Sequence, residues 1–160
     1  MKLLAFQIGQ QVSYHELSLA AGLDVSTVER YIDMLEKAFV VFRLPCFQLN
    51  KKNELKKSRK IYFTDNGIRN AIINQWGEIE LRSDAGALWE NWIMSERHKL
   101  IRNEQAKTEM YFWRTIAQQE VDLVEVKDKN LPFSVSEKCE LCEHCEHKRW
   151  QSKNFCTNTP

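Results

Sequence analysis

Two serine-to-glutamate spacings on either side of one glycine constrain this chain more than any other feature. Ser13-Tyr14-His15-Glu16 and Ser26-Thr27-Val28-Glu29 each fit a capping box. In that device the serine hydroxyl accepts from an orphan N–H of the first turn, and the glutamate three residues on reaches back. The first box predicts a helix over 14–21 with Leu17, Ala20 and Ala21 on one face, stopped at Gly22. Leu23-Asp24-Val25 then makes a tight turn, and the second box predicts a helix over 27–38 with Val28, Tyr31, Ile32 and Leu35 at core spacing. Two short capped helices joined by a glycine-containing turn predict a helix-turn-helix, and the small Ala20 and Ala21 allow close packing. A short apolar turn from Lys2 to Ile8, stopped by Gly9, precedes them.

Two β-rich runs follow, Val40-Val41-Phe42-Arg43-Leu44 and Lys60-Ile61-Tyr62-Phe63. They bracket the segment Lys51–Lys60, in which six of ten residues are basic. A basic loop between two strands, directly after a helix-turn-helix, predicts a wing. Thr64-Asp65-Asn66-Gly67 then turns into another short helix through Ile68, Ala71 and Ile72. In the DNA-binding reading the second helix enters a major groove with Thr27 and Arg30 nearest the base edges, while Lys51, Lys52, Lys56, Lys57 and Arg59 meet phosphates. A second reading stands beside it. That helix carries Glu29, Asp33 and Glu36 against Arg30 and Lys37, a balance of −1 that suits a phosphate-lined groove poorly. Winged helices also dock proteins, because the fold does not fix its use. His15 is read as a surface or packing residue.

The segment Gly86–Arg97 predicts a helix with Leu88, Trp92, Ser95 and Lys99 on one face and Trp89, Ile93 and Leu100 on another stripe, Glu90 lying partly buried beside the aromatic residues. Met110–Arg114 and Glu120–Val126 predict two strands of an antiparallel hairpin, which suits an α+β or α/β layer.

The 160 residues, 43% apolar, suffice for one ordinary domain or two small ones. No apolar run reaches the length of about 18 that a membrane span needs. The opening Met1–Ile8 is too short for a secretion signal, so a cytoplasmic protein with no membrane partner is expected. The net charge of +1 hides an asymmetry: residues 1–83 carry 12 Lys/Arg against 9 Asp/Glu, and residues 84–130 carry 7 against 9. The first half is mildly basic, far from a nonspecific nucleic-acid coat.

Five motifs, in order from about Leu3 to Val126, carry a family resemblance: Tyr31-Ile32-Asp33-Met34-Leu35-Glu36, Lys60-Ile61-Tyr62-Phe63-Thr64-Asp65-Asn66-Gly67, Gly86-x2-Trp89-Glu90-Asn91, Tyr111-Phe112-Trp113-Arg114-Thr115 and Glu120-x-Asp122. The chain resembles the C-terminal part of the prokaryotic predicted AAA+ ATPases, a domain of unknown function. The resemblance implies a winged helix followed by a restriction-endonuclease-like, PD-(D/E)xK, domain, with a P-loop ATPase before them. This chain has no Gly-x4-Gly-Lys-Ser/Thr, so it holds no phosphate cradle of its own.

The resemblance also implies a nuclease site, with Asp122 as first acid and Glu90 as helix acid, Glu120 lying close by. Such a site converges two acids and a lysine on Mg²⁺ and an attacking water. The later Glu-x-Lys strand is not found after residue 128. Glu125-x-Lys127 resembles a substitute, but regular alternation places Asp122, Val124 and Val126 on one face and Leu123, Glu125 and Lys127 on the other unless a bulge intervenes. The acids are therefore read as vestigial, without a lysine on their face, and no enzyme activity is expected.

Four of the five cysteines fall in the last 22 residues. Cys139, Cys142, Cys145 and His147 offer four soft ligands that in principle suit Zn²⁺, although a zinc ribbon closes with two pairs a dozen or more residues apart. No other cofactor is expected. A truncated or frame-shifted C-terminus is the competing account of this tail. The sequence thus predicts an α+β chain: a winged helix-turn-helix over 1–75, a partial restriction-endonuclease-like α/β domain over 84–128, and a Cys-rich tail over 129–160. Its expected role is a non-catalytic DNA-binding or regulatory module of an ATPase-family protein. A protein-interaction module, partnering an ATPase domain or another protein, and a metal-dependent nuclease are the alternatives.

Overall fold

The serine half of the first capping box forms. Ser13 Oγ accepts from the Glu16 amide at 3.3 Å and starts α2 (Tyr14–Ala21), and Gly22 closes that helix in the left-handed conformation at φ 65°. The protein, described by a computed structural model over residues 1–47, 58–105, 107–114 and 119–127, opens with a short α1 (Lys2–Phe6) before this helix. The second capping box does not form. α3 spans Val25–Lys37, two residues ahead of the expected start, because the Asp24 carbonyl already accepts from the Thr27 and Val28 amides at 3.0 Å. Ser26 therefore lies inside the helix. Val28 and Ile32 are buried, whereas Tyr31, at the edge of that stripe, is exposed.

The end of α3 is unusual. Phe39 N–H bonds to the Glu36 carbonyl at 3.0 Å and Val40 N–H to the Leu35 carbonyl at 2.9 Å, the two bonds of a Schellman motif. The residue at its left-handed position is normally glycine; here it is Phe39, at φ 57°, with 66% of its surface exposed. An L-residue there costs about 1–2 kcal/mol, and a ring so exposed recovers little of it.

β1 (Val41–Pro45) and β2 (Arg59–Phe63) pair antiparallel from Val41↔Phe63 to Pro45↔Arg59. A bridge between Gln11 and Lys60, with Val12 N–H on the Arg59 carbonyl at 2.9 Å, adds a short segment along β2. The hairpin is buried on both faces, and alternation sorts its side chains into two cores. Val41, Ile61 and Phe63 join Leu4, Ala5, Leu17, Val28 and Ile32 from the three helices and Ile8 from the turn after α1. Phe42, Leu44 and Tyr62 face Met94 and Phe112 from the second half.

α4 (Asn66–Ile73) is capped by Asp65, whose Oδ1 accepts from the Gly67 and Ile68 amides at 2.6 and 3.2 Å. A 3₁₀ turn (Ile79–Leu81) leads to α5 (Ala85–Asn103). Asp84, at the start of α5, meets Arg82 at 2.9 Å and the buried Arg69, whose Nε donates to the Ala5 carbonyl at 2.9 Å. These contacts hold the Asp84 carboxyl well below the usual range, the Arg82 hydrogen bond contributing most. The buried face of α5 is Leu88, Asn91, Met94, Ser95 and Ile101, while Trp89 and Trp92 point outward, edge to face at 5.1 Å. Of the residues expected on one face, Leu88 and Ser95 are buried and Trp92 is exposed. The buried stripe includes two polar residues whose hydrogen bonds are satisfied internally, and hydrophobicity alone cannot find such residues.

β3 (Thr108–Arg114) and β4 (Glu120–Lys127) form the second antiparallel hairpin. An isolated parallel bridge between Cys46 and Phe112, with Phe47 N–H on the Phe112 carbonyl at 2.6 Å, joins it to the first. The ladder runs Met110↔Glu125 and Tyr111↔Val124, then shifts to Trp113↔Val121 and Arg114↔Glu120. Asp122 and Leu123 together oppose Phe112: the strand carries the β-bulge that regular alternation leaves out. Cross-strand partners share a face, so Glu120 and Glu125 lie on the face of Met110, Phe112 and Arg114, the face that also carries Asp122. The expectation that Glu125 and Lys127 point away from Asp122 is corrected accordingly. The architecture is α+β, mixed helix with two small antiparallel sheets. The segment 51–57 and the tail from 129 lie outside the described residues.

Candidate functional site

Lys60 is the first residue of the buried run of β2, and its place in the alternation sends its side chain, like that of Tyr62, toward the second half of the chain. There its Nζ lies 2.6 Å from Glu120 Oε1, 2.8 Å from Asp122 Oδ1 and 3.5 Å from Glu90 Oε1. The lysine is only 3% exposed, and it also stands 5.6 Å from the centre of the Phe112 ring. The Tyr62 hydroxyl donates to Glu90 Oε1 at 2.6 Å, and Arg114 approaches Glu120 at 3.6 Å. Gly9, at φ 73°, brings backbone against the same carboxylate: a Cβ there would sit 3.1 Å from both Glu90 oxygens, closer than ordinary contact allows.

The three vestigial acids read from the sequence are therefore brought together. The lysine that strand alternation removed from their face arrives from the other hairpin. The sequence reading counts Lys60 both in the basic segment and as the first residue of a β-rich run, without a role in the site, and does not single out Tyr62 or Gly9. One signal was present: a lysine sharing parity with Tyr62 in an otherwise apolar strand needs a partner if that face is buried. Glu125 shares the sheet face but not the cluster. It is 2% exposed and held by Arg97 of α5 through Nε to Oε1 and Nη2 to Oε2, the latter at 2.8 Å.

The electrostatics follow from burial and pairing. For Lys60, burial works against the ammonium, but the Asp122 and Glu120 hydrogen bonds outweigh it and raise its pKa. Burial also raises the Tyr62 hydroxyl, helped by the charge of Glu90. Burial pushes the Glu90 carboxyl up, partly countered by Tyr62 and Lys60. The pairing thus favours the charged, hydrogen-bond-donating form of Lys60. Among the described residues, no group of three or more His, Cys, Asp or Glu stands placed to hold a metal ion. The three carboxylates are spread around the ammonium instead.

An alkaline titration follows. Lys60 and Tyr62 both keep their protons in the folded state beyond the unfolded values. The native state then binds more protons above about pH 10, and stability falls as pH rises through that window. The urea midpoint should decline between about pH 9.5 and 11, and Tyr62→Phe should flatten the decline. An unchanged slope in Tyr62→Phe would remove the tyrosine from this account.

The DNA-contact candidates are scattered. Arg30 is exposed on α3, Thr27 is half-buried there, and Arg59 lies at the end of β2 with its guanidinium 4.5 Å above the Tyr14 ring. Lys51, Lys52, Lys56 and Lys57, and the tail residues Cys139, Cys142, Cys145 and His147, lie outside the described residues. The outer face of α3 and its flanks show Leu19, Leu23, Tyr31, Met34 and Phe39 to solvent. Among the described residues no helix is long and apolar enough to cross a membrane.

Residues 1–78 match the family model described as domain of unknown function DUF8612, and residues 85–136 match the one described as domain of unknown function DUF4143. The chain is similar to the uncharacterized protein Mb2031c of Mycobacterium bovis and the uncharacterized protein Rv2008c of Mycobacterium tuberculosis. It is 30% identical to each over 136 residues, which is 83% of this chain and 30% of each relative. The chain therefore spans under a third of the length of the curated relatives it matches. No solved structure matches it. The cluster straddles the two matched segments: Gly9, Lys60 and Tyr62 fall in the first, and Glu90, Glu120 and Asp122 in the second.

Proposed function

We propose that this chain is a non-catalytic binding module of a predicted AAA+ ATPase-family protein: a winged helix-turn-helix joined to a partial restriction-endonuclease-like unit, contacting DNA mainly through its basic wing. The observation that carries the non-catalytic part is the buried Lys60 ammonium, within hydrogen-bond distance of Glu120 and Asp122 and 3.5 Å from Glu90. A nuclease of the PD-(D/E)xK type uses such oxygens on a divalent cation and a water. Here they compensate a buried charge and tie β2 to β4. The winged-helix part is supported by the order α1, a bridged segment at Gln11, α2, α3 and the β1–β2 hairpin. The DNA part is supported by five basic residues, Lys51, Lys52, Lys56, Lys57 and Arg59, in the sequence that runs from β1 to the start of β2.

One observation favours a second reading. The outward surface around α3 shows large apolar side chains among its charged ones, with Met34 63% and Leu19 70% exposed, and Arg43 is spent on Asp33 and Glu36. Such a surface suits a protein partner, the ATPase domain among them, better than a phosphate-lined groove.

Duplex binding measured against salt separates the two. Lys51, Lys52, Lys56 and Lys57 changed together to Ala should weaken binding and flatten the salt dependence, by a slope of about 0.9 for each phosphate no longer neutralised. Absence of binding by the parent chain at low salt would leave the protein-docking reading standing. Plasmid incubated with Mg²⁺ or Mn²⁺ should stay intact, and nicking that disappears in Asp122→Asn would overturn the non-catalytic reading.

A further inference from the structure

Two adjoining hollows, of about 280 and 360 Å³, run along the seam between the end of α3 with β1 and the end of α5 with β3. They share Phe42, His98 and Arg102. The His98 imidazole stacks flat on Phe42, centroids 4.2 Å apart and 4° between planes, forming an aromatic floor; burial, with Arg102 nearby, holds its pKa down and so favours the neutral ring. Phe39 stands at the rim of the larger hollow, and the Arg102 guanidinium lies 5.9 Å from the centre of its ring. Arg102 makes no ion pair among the described residues, whereas neighbouring Lys99 is paired with Glu96 at 2.7 Å.

A cation near the end of α5 is explained by the helix dipole alone. Phe39 is not. It occupies the left-handed position of a Schellman turn, where glycine is free of strain, and leaves two-thirds of its surface in water. Neither helix capping nor core packing accounts for a ring there. Strain and exposure concentrated in one side chain at a groove point to a ligand.

We infer that this seam binds single-stranded nucleic acid, with a base stacked on Phe39 and the adjoining phosphate on Arg102. A nucleotide supplies a π-face and an anion within one residue's reach, which matches an exposed ring beside a guanidinium that makes no ion pair among the described residues. An acidic peptide would use Arg102 and leave Phe39 without a role. The inference rests on the nucleic-acid reading above for the class of polymer, but its residues are separate from the wing.

Anisotropy of a labelled 12-nucleotide oligo-dT, titrated at low salt with the full chain, tests it. Phe39→Gly should weaken binding by about tenfold or more, while the thermal midpoint stays the same or rises because the strained position becomes free. Arg102→Gln should weaken binding and reduce its salt slope. The fourfold wing variant should lose duplex affinity, yet adding Phe39→Gly to it should still weaken oligo-dT binding by about the same factor. Parent-like oligo-dT binding by Phe39→Gly overturns the inference, as does equally tight binding of a poly-glutamate peptide of the same length. Duplex binding by a chain that does not bind oligo-dT would overturn the seam and leave the wing standing.

Discussion

Replacing Asn91 with leucine is expected to cost about 3–5 kcal/mol and to leave the chain largely unfolded in low urea. The residue is fully buried, and its amide works like a short stretch of neighbouring strand. Oδ1 accepts from Phe63 N–H at 2.7 Å, and Nδ2 donates to the Phe63 carbonyl and to Asn66 Oδ1, both at 2.9 Å. Leucine has nearly the same volume but abandons two buried backbone groups at the end of β2 and one side-chain oxygen at the start of α4. Each orphaned group costs about 1–3 kcal/mol, against a total stability of about 5–15 kcal/mol for a domain. Circular dichroism through a urea titration would show it. A midpoint within experimental error of the parent would mean that Phe63 finds other partners.

Lys60→Met should be nearly as damaging at neutral pH, by about 3–5 kcal/mol, because it leaves clustered carboxylates with their compensating charge removed. The same substitution combined with Glu120→Gln and Asp122→Asn should recover much of that loss, since the charges then disappear together. Summing the separate effects would overestimate the damage of the triple variant, and that shortfall measures the coupling. Lys60→Arg should not rescue. The space is filled around a compact ammonium, and a planar guanidinium needs a different fit. Strictly additive effects would show that the three side chains stand near Lys60 without stabilising it.

The sequence carried the local devices well where a single side chain decides them. Ser13 and Gly22 bound α2 as their types require, and Asp65 caps α4. Ser26 shows the limit: a capping box is only an offer, and the Asp24 carbonyl took the first helical bonds sooner. The hairpin of β1 and β2 was legible from β-branched and aromatic runs, but its burial on both faces was not, because Lys60 interrupts the apolar pattern. The site shows the same division. Glu90, Glu120 and Asp122 were nominated through motif resemblance, and the structure gathers them. Their partner lies 60 residues upstream of Glu120, and no periodicity reports contacts at that range. Asn91 hides for a different reason: a buried amide on a helix face scores as polar, and only the strand end it satisfies explains its place.

The bulge at Asp122 and Leu123 gives β4 a place to change length. A residue deleted from or added to a regular strand inverts everything beyond it, so that inward side chains turn to solvent. Here both flanks already face inward: Glu120 toward Lys60 on one side and Glu125 toward Arg97 on the other, with the extra residue absorbed between them. Removing one residue at the bulge would return the ladder to plain alternation and keep both acids facing the core. A deletion just before or after it would turn an ion pair outward. Among descendants of this hairpin, insertions and deletions should therefore gather at Leu123, which leaves Asp122 on Lys60, and be purged from the residues beside it.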